Sequence, residues 1–167
     1  MKPTVNHGAA MLSAILILCL ISLPAASQCS RGSVAGYWAY TYSGSILTAS
    51  GALPAAAVGH FRQDEAGNVS GGQVRSVAGD SANEDISGQV TVHKDCTATA
   101  TINVTVSGVL QRTAVLSLVY DDNANHARMI FQSLTLPDGT NVPVVLTVDG
   151  SRVVSANDRT HRTNGTN

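Results

Sequence analysis

A strict two-residue alternation runs through the middle of the chain, from Thr97 to Val106. Threonine or asparagine alternates there with an apolar residue at every second position. The apolar residues are Ala98, Ala100, Ile102, Val104 and Val106. Successive side chains of a β-strand point to opposite faces of the sheet, whereas a helix repeats every 3.6 residues. The segment is therefore predicted to be a strand with one buried face and one face toward water.

Similar segments recur roughly every 8–12 residues on both sides of this strand, with turn residues between them. The predicted strands are Val34–Ser43, Ser45–Ser50, Ala55–Gln63, Asn68–Val77, Ile86–Val92, Thr97–Val106, Leu110–Tyr120, Arg128–Leu136 and Val142–Val148. No window after residue 27 has helical periodicity. A long antiparallel meander with short connections hides its edge strands by closing on itself. We therefore predict an all-β fold, an antiparallel eight- to nine-stranded closed β-barrel, with a β-sandwich as the alternative.

The first 27 residues have the features of a secretory signal peptide. Lys2 is followed by a nearly continuous apolar run over residues 9–23, then by Pro24 and the small residues 25–27. This order of a basic, an apolar and a small-residue region is typical of a cleaved signal, and the run is shorter than the ~20 residues of a membrane span. The domain plan is thus a signal at 1–27, one barrel domain at 28–154 and a flexible polar tail at 155–167, in a secreted or periplasmic protein without a stable membrane span.

The cysteine count agrees with export. Of three cysteines, Cys19 lies in the predicted signal, so the mature chain keeps Cys29 and Cys96. An even pair in an oxidising compartment favours a disulfide, with two free thiols as the alternative. The bridge would tie the new N-terminus to the start of the Thr97–Val106 strand.

Composition and charge exclude several classes of protein. The chain is 44% hydrophobic and 13% charged, and its net charge is −1. Disordered chains have few apolar residues and a high net charge. Nucleic-acid binders have a basic excess, which this chain lacks, so no nucleic-acid partner is expected. The oligomeric state is open.

Aromatic residues cluster near the start of the barrel domain. Four of the seven aromatic residues lie between Tyr37 and Tyr42, and Trp38, Tyr40 and Tyr42 share one face of the first strand. Aromatic side chains with polar tips are suited to a ligand pocket. Filling of the core is the alternative explanation.

Parity places a polar group on an inward face of two neighbouring strands. Gln73 and Arg75 lie an even number of residues from Val69 and Val77, so the four side chains share one face of the strand. Glu84 likewise precedes Ile86 by two residues. The face that buries these apolar residues therefore also carries Gln73, Arg75 and Glu84. A buried arginine requires a charged partner. We predict an ion pair of Arg75 with Glu84 beside Gln73, which could hold a carboxylate or polarise a carbonyl; a purely structural pair at the rim, or exposure, is the alternative.

The remaining polar patterns in the sequence do not indicate a metal, cofactor or catalytic site. Asp121, Asn123 and Asn125 are spaced like the start of a calcium loop, but His126 replaces the required glycine and Gln132 the final glutamate, so a solvated hairpin tip is expected. His60 is expected to face solvent. We expect no metal site and no cofactor, and no nucleophile, zinc, Walker or dinucleotide motif occurs.

Three resemblances accompany these patterns. The stretch from Gly36 to Asp149 resembles a group of small uncharacterised secreted proteins of soil bacteria; the matching segments are residues 57–59, 64–71, 94–99 and 134–140. Gly36-Tyr37-Trp38 resembles the Gly-x-Trp element of calycin barrels (lipocalins and avidins), in which the Trp plugs the closed end. The barrel pattern is also similar to the allene oxide cyclase type.

Three functions remain open from the sequence. The leading hypothesis is a secreted barrel that binds a small, largely apolar ligand in its interior, since pockets in barrel mouths are common. The second is a barrel isomerase or cyclase in which Arg75, Glu84 and a tyrosine act on a bound substrate. The third is a structural or surface-interaction module with a filled core.

Overall fold

The computed structural model describes residues 29–153. The signal peptide predicted at residues 1–27 and the tail predicted at 155–167 lie outside the described residues. A single helical turn, α1 (Arg31–Val34), precedes eight strands. The strands are β1 (Gly36–Thr48), β2 (Gly51–Gln63), β3 (Asn68–Val77), β4 (Asp80–Val92), β5 (Thr97–Val106), β6 (Val109–Asp121), β7 (His126–Thr135) and β8 (Val144–Arg152), with a 3-10 turn at Asp122–Ala124 between β6 and β7.

The eight strands form one closed antiparallel barrel in sequence order. Each strand pairs with its neighbours in the chain, and β1 closes the barrel against β8 from Trp38 opposite Arg152 to Ile46 opposite Val144. This confirms the predicted all-β meander and the barrel, and the β-sandwich alternative was wrong. Closure gives each of these eight strands two hydrogen-bonded neighbours. The pairing of β7 with β8 is the shortest and runs from His126 opposite Ser151 to Ile130 opposite Thr147.

Two details of the prediction were wrong at the start of the barrel. The segments Val34–Ser43 and Ser45–Ser50 were expected to be separate strands, but β1 runs without interruption through Gly44. A Cβ at Gly44 would lie 2.0 Å from the Val145 carbonyl oxygen, so the glycine permits close approach of the β8 backbone and does not mark a turn. Val34 belongs to α1, because a capping box between Ser30 and Ser33 starts a helical turn there.

The barrel has a covered end and an open end. At the covered end, α1 is tied to three barrel segments: Cys29 forms a disulfide with Cys96 after β4, Arg31 donates to the Ala66 carbonyl before β3, and Arg152 of β8 donates to the Ser33 carbonyl. Val34 is fully buried by these connections. The opposite end is formed by the β1–β2, β3–β4 and β5–β6 turns and the loop of residues 136–143.

Trp38 closes the barrel from inside at the covered end. Its indole Nε1 donates to the Val34 carbonyl at 3.0 Å, and its ring stacks on Phe61 with 6.1 Å between ring centroids. The Arg152 guanidinium lies over its other side at 5.5 Å. These contacts leave Trp38 almost without solvent exposure, so it forms the bottom of the barrel core.

Candidate functional site

The barrel encloses a cavity of about 210 Å³ above Trp38. Inward side chains of all eight strands line it, and most of them are aliphatic or aromatic. Three of the residues that line the cavity are alanines, namely Ala55, Ala100 and Ala114. Small residues on the inner face leave space that longer side chains of the facing strands do not fill. Six lining side chains are polar: Tyr40, Tyr42, Gln63, Gln73, Arg75 and Arg112.

A hydrogen-bonded network is built around Glu84, on the wall nearer the open end. Its Oε1 accepts from Arg75 Nε at 2.8 Å and from Arg112 Nη1 at 2.8 Å. Its Oε2 accepts from Gln73 Nε2 at 2.6 Å and from Arg112 Nη2 at 2.5 Å. Both carboxylate oxygens are thus fully occupied, and the Glu84 side chain is only 1% exposed.

The predicted grouping of Gln73, Arg75 and Glu84 is therefore present in the geometry. Gln73 lies directly opposite Glu84 in the β3–β4 register, which places both side chains on the inner face. Glu84 itself does not line the cavity; it stands behind the two arginines and holds them. The groups that face the cavity are the arginines.

Arg112 was missed by the sequence reasoning. It lies on β6 two residues before Ala114, in the same parity as Leu116, Leu118 and Tyr120, which all point inward. That parity could have identified it. One extra residue in β6, Gln111, forms a bulge in the pairing with β5 next to Arg112. Leu110 lies on the other side of this bulge and is exposed.

The network keeps its charges ionised. Burial would raise the pKa of Glu84, but the hydrogen bonds from Arg112, Gln73 and Arg75 outweigh this effect and hold its pKa below the ordinary value of 4.5. Burial likewise would lower the pKa of Arg112, but the hydrogen bonds and charge of Glu84 raise it. Both groups are therefore charged at neutral pH.

The tyrosines of β1 extend the network. Tyr40 donates from its hydroxyl to Gln73 Oε1 at 2.6 Å, and Tyr42 lies within hydrogen-bonding reach of Arg112. Burial and the neighbouring Tyr42 raise the pKa of Tyr40 far above its ordinary value, so it stays protonated. Gly59 makes this position possible, because a Cβ there would lie 2.7 Å from the Tyr40 hydroxyl and 2.7 Å from the Gly72 carbonyl oxygen.

The three aromatic residues predicted for the site are thus divided. Tyr40 and Tyr42 line the cavity, as Gln73 and Arg75 do, whereas Trp38 lies beneath it and does not contribute to the wall. The two phenols face Arg112 and Gln73, while the indole packs against α1. The aromatic face therefore serves both alternatives that the sequence left open, core filling at Trp38 and pocket lining at the tyrosines.

A second polar group lies at the floor of the cavity. Gln63 accepts from the Tyr120 hydroxyl at 3.3 Å, and its Nε2 has no hydrogen-bond partner among residues 29–153. Gln63 is 1% exposed and belongs to the cavity lining. Burial raises the pKa of Tyr120 to about 12, so its hydroxyl remains a donor.

The remaining candidates lie away from the cavity. Asp121 is engaged by His126 and Arg128, and no group of metal-binding side chains occurs within residues 29–153. His60 lies on the outer face of β2 and is exposed. In this part of the chain no helix is long and apolar enough to cross a membrane.

No protein-family model and no curated protein matches this chain. Among solved structures it is similar to one described as "Structure of a redesigned beta barrel, mFAP1, bound to DFHBI". The sequence identity is 20%, the TM-score is 0.48, and the similarity covers 74% of this chain and 100% of that chain. At this level of similarity the comparison adds nothing to the site described above.

Proposed function

We propose that this protein binds a small, largely apolar molecule in the interior of its barrel. The observation that carries the proposal is the cavity of about 210 Å³ with a mostly apolar wall and a polar group on one side. Ligand sites in proteins are concave, mostly apolar and equipped with a few placed polar groups. A dry engineered cavity of about 150 Å³ already binds benzene.

The size of the cavity limits the ligand. A space of about 210 Å³ accommodates a one- or two-ring or short aliphatic body. A filled core, which the structural-module hypothesis requires, does not agree with this volume, because well-packed interiors have few voids larger than a water molecule.

The cyclase alternative receives no support from the described residues. A general acid or base in a cavity needs a pKa shifted toward neutral pH. The pKa of Glu84 is shifted downward, both its oxygens are occupied, and it does not line the cavity. Tyr40 is held protonated and donates to Gln73. These groups are arranged for binding.

The proposal includes export to an oxidising compartment. The disulfide between Cys29 and Cys96 supports it, because disulfides persist in secreted and periplasmic proteins. The position of Trp38 at the covered end also supports the proposed calycin-like character, since the Gly-x-Trp resemblance implies a Trp that plugs the barrel.

The test uses a two-ring fluorescent probe that is neutral at pH 7, 1-aminonaphthalene, whose emission shifts to shorter wavelength when it leaves water. We expect saturable binding to the wild-type protein and at least about tenfold weaker binding to Ala100→Phe, because the new ring fills the cavity. Thr101→Phe is the matched control, since Thr101 is the next residue of β5 and is exposed. Equal probe binding by both variants, with both folded by circular dichroism, would contradict an interior site.

A further inference from the structure

We infer that the molecule bound in the cavity is an organic monoanion, a carboxylic acid in its ionised form, whose carboxylate is held by Arg75 while Arg112 contributes positive charge. This inference rests on the proposed binding function and specifies the chemical class of its ligand. Three features of the site support it: its net charge, the unused donors of Arg75 and the complete occupation of Glu84.

The wall of the cavity carries one uncompensated positive charge. Arg75 and Arg112 both lie against the single carboxylate of Glu84, and no Asp or Glu is among the described residues that line the cavity. The side chains of Arg75 and Arg112 are 25% and 15% exposed. Charge in such an enclosed place is unfavourable unless it is paired. One negative charge on the ligand would balance the group.

The hydrogen-bonding capacity of the arginines is unequal. Arg112 donates from both Nη atoms to Glu84. Its role is therefore to hold the Glu84 carboxylate and to contribute positive charge to the cavity wall. Arg75 uses only its Nε in this way, and neither of its Nη atoms has a hydrogen-bond partner among residues 29–153. The planar guanidinium of Arg75 therefore retains donors for a second carboxylate, and arginine matches carboxylate geometry particularly well.

Glu84 excludes the opposite class of ligand. A cationic ligand would need an acceptor with free lone pairs facing it, but four donor atoms occupy the two Glu84 oxygens. It would also meet the two guanidiniums, which face the cavity while Glu84 does not. Amines should therefore bind more weakly than neutral molecules of the same shape.

The register also defines the orientation of the ligand. Gln73, opposite Glu84, pairs on its other side with Gly59, which lies four residues before Gln63 on β2. At ~3.3 Å per residue the charged group thus stands about 13 Å along the strand from the Gln63 floor. The carboxylate is expected toward the open end, and the apolar body toward Phe61 and the covered end.

Three molecules with the same phenylpropyl body test the inference on the wild-type protein alone. They are 3-phenylpropionate, 3-phenylpropanamide and 3-phenylpropylamine, measured by calorimetry and by displacement of 1-aminonaphthalene at neutral pH. We expect the carboxylate to bind about tenfold or more tightly than the amide, because a hydrogen bond between two charged groups is roughly twice as strong as one between neutral groups. The amine should bind more weakly than the amide.

Variants then assign the effect to Arg75. Arg75→Met should reduce the preference for carboxylate over amide to about twofold or less. The preference is a ratio measured within one variant, so a loss of affinity shared by both ligands does not change it. Arg75→Lys, which keeps the charge but loses the planar fork, should retain part of the preference. Arg62→Met is the matched control, since Arg62 lies on the outer face of β2. It should retain the full preference.

The outcomes separate the two proposals. Equal affinity for carboxylate and amide in the wild type, with the probe still bound, would overturn the anion assignment and leave interior binding intact. Failure of the probe and of all three molecules to bind would overturn the binding function itself. An unchanged preference in folded Arg75→Met would also contradict the assignment to Arg75.

Discussion

Glu84 is the charged residue that the barrel buries most completely within residues 29–153. Glu84 stabilises the fold through the donors that converge on its carboxylate. Without these partners the buried carboxylate would be strongly destabilising. The same contacts orient Arg75 and Arg112 toward the cavity. A single side chain thus connects stability with the chemistry of the site.

We expect Glu84→Ala to lower the free energy of unfolding by about 3–5 kcal/mol, since it leaves two enclosed guanidiniums without a counter-charge. Arg75→Ala should cost less, about 1–2 kcal/mol, because Arg112 continues to pair with Glu84. Urea unfolding measures both losses. Glu65→Ala, in the exposed β2–β3 turn, is the control. A loss below about 1 kcal/mol for Glu84→Ala would place the carboxylate in solvent.

The pH dependence of this contribution follows from the lowered pKa of Glu84. Its stabilisation is complete above the ordinary glutamate pKa and is lost as the pH falls through the lower pKa of the folded state. Glu84→Ala should therefore unfold with a weaker acid dependence than the wild type.

At the scale of elements, a surface cluster joins the β6–β7 connection to β8. His126, the first residue of β7, contacts Asp121 at the end of β6 through Nδ1 at 2.5 Å and Asp149 of β8 through Nε2 at 2.9 Å. A ring with a carboxylate at each nitrogen is best satisfied when both nitrogens carry protons. The hydrogen bonds with Asp121 and Asp149 accordingly raise the pKa of His126 above 6.5.

We expect an NMR titration to give His126 a pKa above 6.5, and Asp149→Asn to lower that pKa. Because the folded-state pKa is raised, the cluster stabilises the protein fully below the ordinary histidine pKa and loses this effect as the pH rises through the pKa of His126. Asp122→Asn, a neighbouring exposed charge change, is the control. An unchanged His126 pKa in Asp149→Asn would show that the contact does not persist in solution.

For the whole molecule, the two ends of the described chain meet at one end of the barrel. β1 and β8 pair side by side, and the disulfide links Cys29 to Cys96 across a separation of 67 residues. A cross-link over a loop of this length restricts the unfolded chain and stabilises the folded one by roughly 4 kcal/mol in the chain-entropy model.

Alkylation of the denatured protein without reductant, followed by peptide mass spectrometry, should leave Cys29 and Cys96 unmodified and joined. The double variant Cys29→Ser and Cys96→Ser should unfold at lower urea concentration, with a loss near the chain-entropy figure of about 4 kcal/mol. Reductant should lower the stability of the wild type and leave that of the double variant unchanged. Free thiols at both positions in the purified protein would contradict the bridge.

Local alternation was enough to predict most of the strands and the inward direction of many side chains. Alternation such as that of Thr97–Val106 depends only on neighbouring residues, so parity alone placed Gln73, Arg75 and Glu84 on inner faces. The same rule would have found Arg112, because its parity matches that of Ala114 and Leu116. The two cysteines that pair were also identified from the sequence.

How these residues contact one another depends on the packing and register of the strands in the folded barrel. Strand β5 lies between β4 and β6, so Arg112 of β6 reaches past β5 along the inner wall to Glu84 of β4, a contact between strands that are not neighbours. Bulges change parity locally, so that Phe131 and Leu134 both line the cavity although they are three residues apart. The division of Trp38 from Tyr40 and Tyr42 depends on the position of α1. Alternation is a property of the local backbone, whereas the shape of the cavity and the contacts between non-neighbouring strands depend on the register between strands.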